Sequence, residues 1–262
     1  MQLLKDERVA LITGGARGVG YRTAQLLAAE GAAIALVDIN KEAVEDAAKR
    51  LAQDSQRHVY GLSADIADPA SVAALAPRVE QLLGPVDILI NSAAIVSDKL
   101  FLESEFADWD RMINVCLLGP MNLIKSFAPA MVQRKFGRII CLASDSARLG
   151  QARLSYYAAA KAGVIALCKS VAQELGPDGI TVNVVSPGAT NTELRQSREQ
   201  SLLAQMGAEK YARREKSVLK MYPLGRIGEP HDIAAMIAFV ASDHAAWLTG
   251  QVISVNGGFA MP

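Results

Sequence analysis

Along the 262 residues, short runs of β-branched and aliphatic residues alternate with longer stretches in which apolar positions recur at helical spacing. The short runs predict seven strands, over 9–13, 33–38, 58–63, 86–91, 137–142, 181–186 and 251–255. The periodic stretches predict helices over 21–30, 41–53, 69–83, 108–135, 155–175 and 231–242. Most of the strands carry few polar residues, as strands covered on both faces do. Strict β/α alternation implies a parallel sheet wound with right-handed crossovers. No repeat or low-complexity linker divides the chain, so the expectation is one α/β domain over 1–262. Its seven-stranded sheet is doubly wound, with helices on both faces. The stretch 190–222 breaks the rhythm. It is polar, with seven cationic residues (Arg195, Arg198, Lys210, Arg213, Arg214, Lys216 and Lys220) against four glutamates, Glu193, Glu199, Glu209 and Glu215. An insertion of that length reads as a lid over a site or as a disordered loop.

Composition narrows the function classes. The chain is 51% hydrophobic, has a formal net charge of zero and carries no strong basic run, which argues against nucleic acid as a partner. Cys116, Cys141 and Cys168 are scattered without a C-x-x-C pair, so a reducing compartment is expected, with no disulfide and no metal site. The first eight residues are charged and run straight into a strand, and no apolar stretch of membrane-spanning length stands out. A soluble cytoplasmic protein is the expectation.

Between the first strand and first helix lies Thr13-Gly14-Gly15-Ala16-Arg17-Gly18-Val19-Gly20. Glycines there allow a tight turn and a close approach to a pyrophosphate, and the helix N-terminus offers free N–H groups to the anion. The spacing G-x-x-x-G-x-G differs from the usual dinucleotide fingerprint. Asp38 ends the second strand, where a carboxylate accepts hydrogen bonds from ribose hydroxyls and repels a 2′-phosphate. Ile39 follows, where a phosphate site would want a cation. NAD is therefore expected over NADP. Asp65-Ile66 and Asn91-Ser92-Ala93-Ala94 lie at the ends of the third and fourth strands, the edge at which open α/β sheets bind ligands. Asp65 suits an adenine amino group or, alternatively, a helix cap.

Tyr157 and Lys161 are four residues apart on a predicted helix and therefore share a face; Ser144 lies thirteen residues before Tyr157. A lysine beside a tyrosine favours phenolate and lowers its pKa. With a serine to orient a substrate oxygen, the three make an acid/base that trades one proton. Taken alone, Y-x-x-x-K is as well explained by a surface pair.

With these motifs in this order, the chain resembles the short-chain dehydrogenase/reductases over essentially its whole length. The carriers are the glycine turn, Asp65, Asn91-Ser92-Ala93-Ala94, Ser144, Tyr157-Ala158-Ala159-Ala160-Lys161, Ser186-Pro187-Gly188 and Thr192. The resemblance implies a single Rossmann domain and a homotetramer. It implies Tyr157 as acid/base, Lys161 on its pKa and on the nicotinamide ribose, and Ser144 on the substrate oxygen. It implies Gly14, Arg17, Gly18, Val19, Gly20, Asp38, Ile39, Asp65, Ile66, Asn91, Pro187, Gly188, Thr190 and Thr192 around the cofactor. Tyr156, lacking the lysine four residues on, should pack rather than react. Two departures stand out. Ala94 replaces the family's frequent glycine. The relay asparagine three residues before Gly119 is Cys116; Asn114 is two residues early, a helix rotation of about 200° that should point it elsewhere. A relay from Lys161 through a water on the Cys116 carbonyl is expected to survive.

Ile95, Val96, Leu149, Gln151 and Leu154, with the 190–222 lid, form the expected substrate wall, mainly apolar. The stretch 143–148 is similar to that of 2-hydroxycyclohexanecarboxyl-CoA dehydrogenases. Together these point to NAD-dependent oxidation or reduction of a cyclic or hydrophobic secondary alcohol or ketone, including an alicyclic hydroxy acid or its CoA ester. The alternatives are an NADP-dependent 3-ketoacyl-thioester reductase and a non-catalytic NAD-binding sensor, against which the intact Ser144, Tyr157 and Lys161 speak.

Overall fold

Seven parallel strands make one sheet in the order β3-β2-β1-β4-β5-β6-β7. They are β1 (Val9–Thr13), β2 (Ala33–Asp38), β3 (Val59–Ser63), β4 (Ile88–Asn91), β5 (Gly137–Leu142), β6 (Ile180–Pro187) and β7 (Val252–Val255). The computed structural model describes residues 2–4 and 7–261. All strand residues of β1, β4 and β5 are buried, whereas the edge strands β3 and β7 are only partly so. That explains why the central strands read as largely apolar runs and why the predicted starts of the edge strands β3 and β7 lie one residue early; β4 also begins later than predicted, at Ile88.

Helices cover both faces. One core packs α3 (Pro69–Leu83), α5 (Gly119–Arg134) and α7 (Ser155–Leu175) on the sheet, through Val72, Leu75, Leu123, Phe127, Val164 and Cys168. The other packs α1 (Gly18–Ala29), α2 (Lys41–Ser55) and α10 (Pro230–Ala241), through Ala24, Leu27, Val44, Leu51, Ile233 and Ile237. The sequence order β1-α1-β2 runs outward one way and β4-α5-β5 the other. The crevice between β1 and β4 is therefore the topological switch point, where such sheets bind ligands.

Three expectations change. The helix predicted over 108–135 is three pieces: α4 (Phe106–Ile113), a π-helical segment over Asn114–Leu118, and α5. The combined stretch Phe106–Arg134 is long and apolar enough to cross a membrane by length and composition, contrary to the sequence reading. In the fold, Leu123, Phe127 and Met131 of this stretch are spent on the core. A short helix, α6 (Ser146–Leu149), follows β5, and the lid is ordered as α8 (Glu193–Met206) and α9 (Ala208–Lys220).

The lid's base is tied to α10. Gly228 N donates to Ala189 O (2.9 Å) and Asn191 N to Gly228 O (2.8 Å). Just beyond, Asp232 accepts from Glu229 N (2.7 Å) and from both terminal nitrogens of Arg226 (2.6 and 2.9 Å). The Arg226 guanidinium, with the Glu229 N–H, pulls the Asp232 pKa down to about 2. A depressed carboxylate stabilises the fold above its unfolded pKa and loses that contribution as pH falls through the folded one. Asp232→Asn is expected to lower stability at pH 7 by roughly 1 kcal/mol. It should also remove part of the loss seen in the wild type between about pH 4 and 2, as read by urea melts across that range.

Candidate active site

The glycine turn closes over the switch point. Gly14 has φ +64°, and a Cβ there would sit 2.9 Å from the backbone of Ala93 after β4. Only glycine both adopts that dihedral cheaply and allows that approach. Thr13 Oγ1 ties the two strand ends, donating to Asn91 Oδ1 (2.7 Å) and accepting from Ala93 N (3.3 Å). Gly20 serves the turn from behind: a Cβ would lie 2.3 Å from Gly14 O. Gly20 and Asn91, both expected at the cofactor, do not line the cleft; they hold the residues that do.

Arg17, extended at the start of α1, supplies no capping hydrogen bond, which leaves first-turn N–H groups for an anion. At the end of β2, Asp38 accepts from Ala16 N (3.4 Å) and Asn40 N (3.2 Å), while Ile39 beside it is 69% exposed. Asn40, not Asp38, caps α2, and Asp68, not Asp65, caps α3. That removes the helix-cap explanation for Asp65 and leaves the Asp38 carboxylate without a capping duty. Asp65 instead accepts from Ala67 N (2.9 Å), and with Ile66 it lines the cleft. The same cleft, of about 840 Å³, is lined by Gly14, Arg17, Gly18, Val19, Asp38 and Ile39 at one end. It is also lined by Ser144, Tyr157, Lys161, Pro187, Gly188 and Thr190, and by Thr192, which lies against Gly18. A glycine cradle, an open helix start and a carboxylate past the end of β2 fit a nicotinamide dinucleotide laid along this floor.

At the reacting end, Ser144 Oγ accepts from Ser146 Oγ (2.9 Å) and from Ser146 N (3.3 Å). With those acceptor sites occupied, its own proton is left to be donated into the cleft that Tyr157 also lines. Ser146 is buried and was not singled out by the sequence; nothing in its local pattern distinguishes it from a turn residue. Lys161 Nζ donates to Leu142 O (2.7 Å) and stands 5.9 Å from the Tyr157 ring centre. The expected lowering of the Tyr157 pKa is corrected here. Burial pushes the phenol above its ordinary value, and the Cys116 thiol adds to this, outweighing Ser144 and the charge of Arg198. Tyr156, as expected, packs, against Met112, Cys116 and Ala160.

The π segment settles the geometry of Asn114 and Cys116. Gly119 N bonds to Asn114 O, a step of five residues rather than four. Asn114 lines the cleft, correcting the expectation that it points away. Cys116 is fully buried, with its Sγ 3.5 Å from Ile95 O. The helix distortion thus forms without an asparagine at 116.

The substrate side is lined by Ile95, Val96, Gln151, Leu154, Met221 and Tyr222. Leu149 is corrected: it ends α6 just before Gly150 turns at φ +68°, lies 52% exposed and does not line the cleft. Asp145 points inward, its carboxylate accepting from Ser186 Oγ (2.6 Å), Ser254 Oγ (3.2 Å) and Asn256 Nδ2. Tyr222 stacks on Phe259, and its hydroxyl accepts from Ala189 N (2.9 Å), bracing the 187–192 segment. From the lid, Arg195, Arg198, Glu199 and Arg214 face the cleft. The sequence showed these four as charges without a role, although the 195/198/199 spacing on one helix face was a usable signal.

Residues 14–260 match a family profile described as Enoyl-(Acyl carrier protein) reductase. An uncharacterized short-chain type dehydrogenase/reductase, y4mP, of Sinorhizobium fredii is 39% identical over 98% of both chains. The 3-oxoacyl-[acyl-carrier-protein] reductase FabG of Salmonella typhimurium is 35% identical, again over 98% of both. The crystal structure of levodione reductase superposes with a TM-score of 0.89 at 32% identity, covering 96% of each chain. With the sheet order, the dinucleotide cradle and the Ser144–Tyr157–Lys161 constellation already in place, the chain belongs to the short-chain dehydrogenase/reductases, oxidoreductases that use a nicotinamide cofactor.

Proposed function

We propose that the chain transfers a hydride between NAD(H) and a secondary alcohol or ketone with a cyclic or otherwise hydrophobic body. The observation that carries this reading is the single cleft that joins the glycine turn to Ser144 and Tyr157 beneath an apolar wall. The dinucleotide, when bound, supplies or accepts the hydride. The protein's part is positional and protonic. Ser144, oriented by Ser146, holds the substrate oxygen, and Tyr157 exchanges one proton with it. Lys161, fixed on the Leu142 carbonyl, brings its charge to the same pocket and, by family resemblance, to the nicotinamide ribose. Pro187, Gly188, Thr190 and Thr192 form the wall on which the carboxamide would rest.

Asp38 and the exposed Ile39 support NAD over NADP: the carboxylate would repel a 2′-phosphate and the residue after it is apolar, which the one arginine of the glycine turn, Arg17, does not offset. The three free cysteines fit a reducing, cytoplasmic setting. Exposed apolar side chains such as Leu118 and Met121 on the π segment and α5 fit burial in a homotetramer. A second reading, reduction of a 3-oxoacyl thioester, is favoured by the 35% identity to FabG.

Three outcomes are expected. Tyr157→Phe should lower kcat by roughly 10²–10⁴-fold while leaving NADH binding, read by fluorescence, unchanged; near-normal turnover would remove Tyr157 from the chemistry. Because burial keeps Tyr157 protonated in the free enzyme, kcat/KM for alcohol oxidation should climb with pH through the neutral and alkaline range. Ketone reduction, which uses the phenol, should stay flat there. Asp38→Ala should narrow the NAD-over-NADP preference by about tenfold or more, measured as the ratio of Kd values; an unchanged ratio would refute the assignment of Asp38.

A further inference from the structure

Four guanidiniums, those of Arg153, Arg195, Arg198 and Arg214, converge on two carboxylates, Asp98 and Glu199. Asp98 is shared by Arg153 and Arg198, which lock the loop after β4 to α8. Burial would raise the Asp98 carboxyl, but the two arginines hold it below its ordinary value. Glu199 is committed as well. Its Oε2 accepts from Arg214 Nη1 (2.7 Å) and Tyr211 Oη (3.0 Å), and its Oε1 meets Arg214 Nη2 only at 3.5 Å. Of the other acidic groups, Asp145 lines the cleft but is taken up by Ser186, Ser254 and Asn256. Glu193 faces Gly18 at the cofactor end, and Glu103, which acts on Arg153, is exposed.

Arg195 is the unfinished member. Its side chain is only 20% exposed, yet among the described residues its guanidinium pairs with Glu199 alone, at 3.5 Å. A guanidinium carries five N–H donors in a planar fork suited to a carboxylate. A largely buried cation with spare donors is costly unless a partner completes it. Arg195 lines the cleft, whose lining also includes the apolar Leu154, Val218 and Met221. Arg198 and Arg214 line the same wall, so the excess positive charge faces into the cleft rather than into solvent.

We propose that Arg195 anchors a carboxylate borne on the hydrophobic body of the alcohol or ketone, with Arg198 and Arg214 supporting the positive wall. This rests on the alcohol/ketone reading and adds the substrate's charge. The class becomes hydroxy or oxo acids whose acid group sits across an apolar body from the reacting carbon.

Binding separates this from the parent reading. Holoenzyme with saturating NADH is titrated calorimetrically with cyclohexanecarboxylate and with its isosteric amide. The acid is expected to bind at least about tenfold tighter, the scale of one charge-assisted pair. Arg195→Met should bring the two to near parity and Arg195→Lys should keep part of the preference, with NADH affinity unchanged in both. Equal binding of acid and amide by the wild type overturns the proposal without need of a variant. So does an equal loss for both ligands in Arg195→Met. A parallel loss of NADH affinity would assign Arg195 to the cofactor pyrophosphate, and tighter binding of cyclohexyl phosphate than of the acid would assign the wall to phosphate esters; either result overturns it. If the acid preference holds but neither 3-hydroxycyclohexanecarboxylate nor cyclohexanol is turned over, the anion site stands and the alcohol/ketone reading falls.

Discussion

The ends of β1 and β4 approach so closely that the backbone at position 14 cannot carry a side chain. Everything in the cleft is built around that contact. It brings the glycine turn against Ala93, and it is locked by Thr13 bridging Asn91 and Ala93. Gly20 lets α1 start directly beneath the turn, which puts a helix N-terminus at the crevice. A larger residue at 14 or 20 would open the floor and separate the two halves of the site. The requirement for glycine here is steric as well as conformational, so a residue tolerating positive φ, such as asparagine, would not substitute.

The reacting end balances opposing forces. Burial keeps the Tyr157 phenol neutral, and the nearby cationic groups of the protein alone do not reverse that. The resting site is therefore poised as a proton donor. Ser146 has the quieter task of occupying the acceptor sites of Ser144, which leaves the serine hydroxyl to act as a donor. On the lid, the same economy of partners appears in reverse, with more cations than carboxylates to receive them.

Much of this was legible in the sequence, and the reasons are physical. Strands buried on both faces must be apolar throughout, so β1, β4 and β5 announce themselves, while the partly exposed edges β3 and β7 blur. The glycine turn, Asp38 and Tyr157–Lys161 are local patterns, and the fold brings Gly14, Gly18, Asp38, Tyr157 and Lys161 to one cleft. What failed depended on geometry that local periodicity does not encode. Asn114 was misplaced because the arithmetic of about 100° per residue breaks where a hydrogen bond spans five residues. Leu149 was misplaced because the one-turn helix α6 carries it out toward solvent before Gly150 reverses the chain. The sign of the Tyr157 shift was misjudged because the depth of a hydroxyl is a property of the finished fold. Arg195, Arg198 and Glu199 were seen as charges but lacked partners, since Asp98 is a hundred residues from Arg198.

Asp145 gives the site a history as well as a geometry. Its carboxylate is 1% exposed, and two of its three side-chain donors, Ser254 and Asn256, lie 109 and 111 residues further along the chain. A carboxylate so enclosed is tolerable only once those donors arrive. During synthesis, which proceeds from the N-terminus, the glycine turn and the first strands can assemble long before the neighbour of Ser144 finds its partners. The dinucleotide cradle is thus available early, while the proton-transfer corner is among the last parts of the molecule to be sealed.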